Sequence, residues 1–370
     1  MQVDAVGIIG ASGTGGALAE LFVSKGFQVR IYDDFKDSLN VAMAKIKWSL
    51  LKQGKGGLMA NIEPIQEYSK FHGADMVIET ISKTMEERAL FFNKIMKEVT
   101  ENSVLAAHSS VTPLKQLLEN IPALPAERTI GLHFVKPVKN NPLVEIIKSD
   151  KTAEDVTDLT GQMISRLGKT GVIVKDNPGQ IVERLTRVYM LGALKVLYSG
   201  KGFPNEIDAA FKEVSGAKYG PFEYLDFTGL DHDYNSCRDI WEMLGKPDRL
   251  KPSDLEMRLV QYGQLGKKAT IGIYIYDEGE IVGENPILPN IVKYLGLRVC
   301  GKEEIFSDIM IPVLEEARAL ASEIMASEHD IETSMKAALG WAKGPFAYLR
   351  EKPELFQRKT QSDFDRLDAF

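Results

Sequence analysis

A chain of 370 residues, 44% hydrophobic, 26% charged and 8% aromatic, has a globular make-up and room for two to three domains at about 150 residues each. That composition excludes collagen-like, low-complexity and largely disordered readings. A net charge of -7 argues against a nucleic-acid coat, and no apolar run approaches the roughly 20 residues that span a bilayer. The start, MQVDAVGIIGASG, lacks a basic segment leading into a cleavable apolar core, so no leader is expected. Cys237 and Cys300 are the two cysteines; they fit neither a disulfide framework nor a zinc ligand set, which predicts a reduced, cytoplasmic setting and no metal.

Short β-branched runs alternate with amphipathic stretches up to about residue 180. Val3–Ile9 reads as a strand, followed by the turn Gly10-Ala11-Ser12-Gly13-Thr14-Gly15-Gly16 and a helical stretch over Gly16–Lys25. Further strands are predicted at Gln28–Tyr32, Met76–Thr80, Val104–Ala107, Ile130–His133 and Val144–Lys148, with helices at Glu86–Val99 and Ala153–Leu167. Alternating β and α units predict a parallel, doubly wound sheet covered on both faces, an α/β domain of Rossmann type. After the turn cluster Asp176-Asn177-Pro178-Gly179, strand signals nearly vanish and helical patterning takes over.

The helical half contains a repeat. Gly220-Pro221-Phe222-Glu223-Tyr224-Leu225 returns 124 positions later as Gly344-Pro345-Phe346-Ala347-Tyr348-Leu349. The same offset pairs Ala193 with Ala317, Ile207 with Ile331 and Gly216 with Gly340. The expected organisation is an α/β domain over 1–180, then an all-α region of two related helical units, 181–300 and a shorter 301–370.

Strand, glycine turn and helix start together make a dinucleotide fingerprint, in which backbone amides and the helix dipole meet a pyrophosphate. Gly10, Ser12, Gly13 and Gly15 are the candidate cofactor contacts, with Ser12 standing where the fingerprint has its middle glycine. Asp33 follows at the end of the second strand, where a carboxylate takes ribose hydroxyls and disfavours the extra phosphate of NADP. The expected cofactor is NAD.

Among five histidines, His133 lies at the carboxyl end of a predicted strand, the edge that faces the ligand crevice in open α/β sheets. Glu145 lies twelve positions on, in the apolar run Leu143-Val144-Glu145-Ile146-Ile147, and Ser110 ends an earlier strand. A carboxylate on the far nitrogen of a histidine fixes its tautomer and raises its basicity, as proton transfer requires. Spacing alone leaves open a structural core histidine and an exposed glutamate.

These segments carry a resemblance. The glycine turn, Ala74-Asp75-Met76-Val77-Ile78-Glu79, the serine loop around Ser110, Gly131-Leu132-His133-Phe134 with Pro142-Leu143-Val144-Glu145, Asp176-Asn177-Pro178-Gly179 and Gly220-Pro221-Phe222-Glu223 occur in order. So do Leu225-Asp226, Gly229-Leu230-Asp231 and Gly272-Ile273-Tyr274. In this order the chain resembles the 3-hydroxyacyl-CoA dehydrogenase family over essentially its whole length. The resemblance implies NAD-dependent interconversion of 3-hydroxyacyl-CoA and 3-oxoacyl-CoA in fatty-acid β-oxidation, by a monomer or homodimer. It implies His133 as general base, Glu145 orienting it, Ser110 bonding the reacting oxygen, and Glu79 beside the nicotinamide. The family's asparagine at the reacting end of the acyl chain is replaced by Glu183, a further asparagine by Lys136, and a third by His108. These departures, with Ser12, keep two other readings in view: a free hydroxy acid or other substrate, and a catalytically drifted subunit or scaffold. From Val41 to Ile62 there is no acid, and Lys45, Lys52 and Lys55 in that stretch are the expected contacts for CoA phosphates.

Overall fold

A computed structural model of the chain describes residues 2–81, 84–288, 300–323 and 326–356. It divides into two compact units at Gln180/Ile181.

The first unit alternates strand and helix. Its elements are β1 (Ala5–Ile9), α1 (Thr14–Ser24), β2 (Gln28–Tyr32), α2 (Lys36–Lys52), β3 (Ile62–Ile65), β4 (Met76–Glu79), α3 (Met85–Ile95), β5 (Val104–His108), α4 (Leu114–Asn120), β6 (Thr129–Phe134), β7 (Leu143–Lys148), α5 (Glu154–Arg166) and β8 (Thr170–Lys175). The strands form one sheet in the order β3-β2-β1-β4-β5-β6-β7-β8. All neighbours are parallel except β6 and β7. Every residue of β4 and β6 is buried, as a strand covered on both faces requires. Apolar side chains fill a core on each face, one around Phe22 and Phe134 and the other around Phe71 and Phe92. The two strands that the sequence pattern does not reveal, β3 and β8, are the sheet's edges. β3 has a proline in its four residues and β8 alternates exposed with buried positions, so neither reads as a continuous apolar run.

The second unit is mainly helical. It contains α6 (Val182–Tyr198), α7 (Pro204–Ser215), α8 (Pro221–Thr228), α9 (Leu230–Met243), α10 (Asp254–Gln261), α11 (Lys302–Ser322), α12 (Glu328–Leu339) and α13 (Pro345–Glu351). Between α10 and α11 it also carries a β-hairpin, β9 (Tyr274–Asp277) and β10 (Glu280–Glu284), absent from the sequence-based expectation. α6 is the central helix, buried at every position from Val182 to Leu194. It packs on α11, where a side chain at Gly192 would meet the Ile309 carbonyl at 2.9 Å, and buried Arg184 pairs with Glu316 at 2.6 Å.

The same offset recurs in the packing. α7 and α12 keep the offset of 124 at both ends, and each stops on a left-handed glycine, Gly216 and Gly340, both at φ 67°. Each following helix begins with proline. Its first amides are taken by a carboxylate from the preceding helix: Asp208 accepts from Phe222 and Glu223 at 2.8 and 3.0 Å, and Glu332 from Phe346 and Ala347 at 2.6 and 3.0 Å. Asp208 and Glu332 are themselves related by the offset, and we infer that the helical unit is duplicated. Residues 357–370 of the second copy lie outside the described residues.

Asp226 explains two of the sequence segments at once. It accepts from the Ile273 and Tyr274 amides at 2.8 and 2.9 Å and from the Tyr276 hydroxyl at 3.1 Å, fastening the hairpin to α8. The Tyr274 hydroxyl donates to Asp208 at 2.7 Å. Burial pushes the Asp226 carboxyl up to about 6 and that of Asp208 up to about 7, against the pull of these hydrogen bonds. No helix among the described residues is long and apolar enough to cross a membrane.

Candidate active site

β1 runs straight into the glycine turn. Gly10 has φ 97°, and a Cβ there would meet Thr80 Oγ1 at 2.8 Å. A Cβ at Gly15 would fall 1.9 Å from the Gly10 carbonyl, so Gly15 is what lets α1 pack against the end of β1. Gly13 caps α1 with φ 55° and open space around it. It offers no side-chain acceptor, and the first turn of α1 carries no acid, which leaves the positive end of the helix for an anion.

A groove of about 330 Å³ opens over this turn. Gly10, Ser12, Gly13 and Thr14 line one part; Tyr32, Asp33, Asp34, Ile81 and Phe91 line another, and Lys136 completes the wall. Asp33 Oδ2 accepts from the Ala11 amide at 2.7 Å and Oδ1 from the Phe35 amide at 2.9 Å, so the acid braces the turn as well as facing the groove. Ser12 is exposed and does not take a positive φ, which shows how the turn tolerates a side chain there. The residues fit a dinucleotide: two close-approach glycines, an uncapped helix N-terminus, an acid at the end of β2 and apolar walls.

The antiparallel β6–β7 pairing sets His133 directly opposite Glu145. Their side chains meet with His133 Nδ1 2.6 Å from Glu145 Oε2, His133 being 4% exposed and Glu145 0%. Twelve residues of separation become one cross-strand pair, and the carboxylate fixes Nδ1 as the protonated nitrogen. His108, at the end of β5, lies beside it with ring centroids 6.2 Å apart. Burial, aided by the neighbouring His133, pushes His108 down to about 3, so it adds no charge.

The remaining residues singled out by sequence are placed as follows. Ser110 sits half-buried in the loop after β5 and makes no side-chain hydrogen bond among the described residues. Glu79 ends β4 fully buried; Arg88 of α3 binds its Oε2 at 2.6 Å and the Ile81 amide its Oε1 at 2.7 Å. Burial pushes that carboxyl up while Arg88 pulls it down. Lys45 and Lys52 are exposed on α2, Lys52 stacked over the exposed Trp48 ring at 4.2 Å, and Lys55 follows the helix with Nζ 3.3 Å from the Ser24 carbonyl. Glu183 opens α6, 3.4 Å from Arg187 one turn on, and Arg187 also pairs with Asp233 of α9. Sequence reasoning passed over Arg88 and Arg187; the i,i+4 spacing of Glu183 and Arg187 was a usable signal, whereas nothing in sequence ties Arg88 to Glu79.

Comparison with known proteins follows the same division. Residues 5–177 match the 3-hydroxyacyl-CoA dehydrogenase NAD binding domain and residues 179–276 the 3-hydroxyacyl-CoA dehydrogenase C-terminal domain. The chain belongs to this family. Its first unit is the family's NAD-binding domain, and NAD is its cofactor. The fatty acid oxidation complex subunit alpha of Acinetobacter baumannii is 27% identical over 94% of this chain. This chain spans about half the length of that relative, 51%. The (S)-3-hydroxybutyryl-CoA dehydrogenase of Ralstonia eutropha superposes with a TM-score of 0.70 at 26% identity, covering 75% of this chain and 100% of that one. The 3-hydroxybutyryl-CoA dehydrogenase of Escherichia coli K12 shares the fold over 95% of this chain and 92% of its own, with a TM-score of 0.83 at 22% identity.

Proposed function

We propose that the protein interconverts a 3-hydroxyacyl-CoA and the corresponding 3-oxoacyl-CoA. The observation that carries this reading is the buried His133–Glu145 pair, held opposite one another by strand register. NAD, bound by Gly10, Ser12, Gly13 and Asp33 with Gly15 closing the turn beneath, supplies the hydride acceptor. His133 takes the hydroxyl proton in oxidation and returns it in reduction, avoiding a free alkoxide at neutral pH. Glu145 holds the imidazole ring and stabilises the imidazolium that forms. Ser110, with no competing hydrogen bond among the described residues, is the second contact for the reacting oxygen. Glu79, bound to Arg88, acts by shaping the loop after β4 beside the nicotinamide end. Lys45, Lys52 and Lys55 supply positive charge for the CoA phosphates.

NADH oxidation with acetoacetyl-CoA tests the reading: turnover that is lost in His133→Ala supports it. NADH binding without turnover refutes it. Glu183 favours a second reading, a free hydroxy acid without CoA, because a carboxylate stands where the resemblance implies an asparagine. Turnover of free acetoacetate at a rate above that of its CoA ester selects it.

A further inference from the structure

We propose that Lys136 is a ligand for the cofactor's pyrophosphate, compensating for the serine at position 12. The inference rests on the NAD-binding reading and adds a residue that the glycine fingerprint does not contain. Among the described residues Lys136 is the only cation lining the groove, which also holds Ser12, Gly13 and Thr14. It is exposed, and its side chain makes no ion pair or hydrogen bond among the described residues. The two acids in the groove are otherwise engaged: Asp33 braces the turn amides, and Asp34 accepts from the Tyr32 hydroxyl at 3.0 Å.

The chemistry follows from what Ser12 removes. In the fingerprint the middle glycine lets backbone amides come close to a doubly charged pyrophosphate. A side chain there holds the phosphates farther off, where the amides and the dipole of α1 neutralise them less. An ammonium in the groove wall restores the lost attraction without requiring close backbone approach. Serine in the turn and lysine in the groove wall thus have one explanation.

The test is fluorescence titration of the full chain with NADH, at low and high salt, for the native protein, Lys136→Met and Lys136→Arg. Lys136→Met is expected to bind NADH about ten-fold more weakly at low salt, the size of one partly screened charge contact, and to show a flatter salt dependence. Lys136→Arg keeps the charge and is expected to stay within about two-fold of native, with the same salt dependence. Adenosine, which has no phosphate, should bind native protein and Lys136→Met alike. Unchanged NADH affinity in Lys136→Met overturns the proposal, as does an equal loss for adenosine and NADH. A native chain that binds no NADH at any salt would instead remove the cofactor reading itself.

Discussion

Replacing Glu145 by glutamine removes one charge and leaves the shape of the β6–β7 pair intact. The carboxylate lies 2.6 Å from His133 Nδ1 with neither side chain open to water, so screening by solvent is small. Two unit charges about 4 Å apart attract by about 4 kcal/mol at an effective dielectric of about 20. That attraction exists only when the imidazole is protonated, which in oxidation is the product of proton transfer. Losing about 3–4 kcal/mol of it from the transition state slows turnover by about 10²–10³-fold. Stopped-flow measurement of NADH formation from 3-hydroxybutyryl-CoA, the oxidation direction, reads this as a fall in kcat. NADH affinity should be unchanged, because Glu145 does not line the dinucleotide groove. A kcat within about three-fold of native would refute the reasoning, since so close a buried charge cannot be silent if His133 carries the proton.

Other expectations follow from single contacts. Gly15→Ala drives a methyl group into the Gly10 carbonyl, so it should lower stability by about 1–3 kcal/mol and NADH affinity at least ten-fold, whereas Gly13→Ala meets open space and pays only for its φ. Urea unfolding and NADH titration of both variants check the contrast. Arg88→Met leaves Glu79 buried without its cation and should cost about 3–5 kcal/mol; adding Glu79→Gln should recover much of that, and equal loss in the double variant would refute the pairing. Asp226 and Asp208 hold their protons more tightly folded than at the ordinary value of 3.8, so their linkage contribution is fully present below about pH 4 and is lost as pH rises through about 6 and 7. For Asp226 that amounts to on the order of 3 kcal/mol, and Asp226→Asn should flatten the fall in urea midpoint between about pH 4 and pH 8.

Much of this architecture was legible in sequence because it is written in local periodicity. The glycine turn, the central strands and the break near residue 180 each rest on neighbouring residues, and the offset of 124 rests on plain self-similarity. Edge strands β3 and β8 escaped because water covers part of them, which erases the apolar run that marks a central strand. The hairpin β9–β10 escaped for a related reason. It is held by Asp226, 47 positions from the first amide it binds, rather than by its own pattern.

The amino-acid order by itself determined which residue types stand at strand ends and helix starts, and hence the fold class and the dinucleotide turn. The tertiary structure decided the pairings. Only the register of two antiparallel strands turns His133 and Glu145 into a hydrogen-bonded pair, and only helix packing gives Glu79 its arginine. Likewise, only the groove wall brings Lys136 toward the glycine turn. The physical reason is common to all three. Local propensities act through neighbours along the chain, whereas the distance between two charges is set by how elements pack, and it is that distance that determines their chemistry.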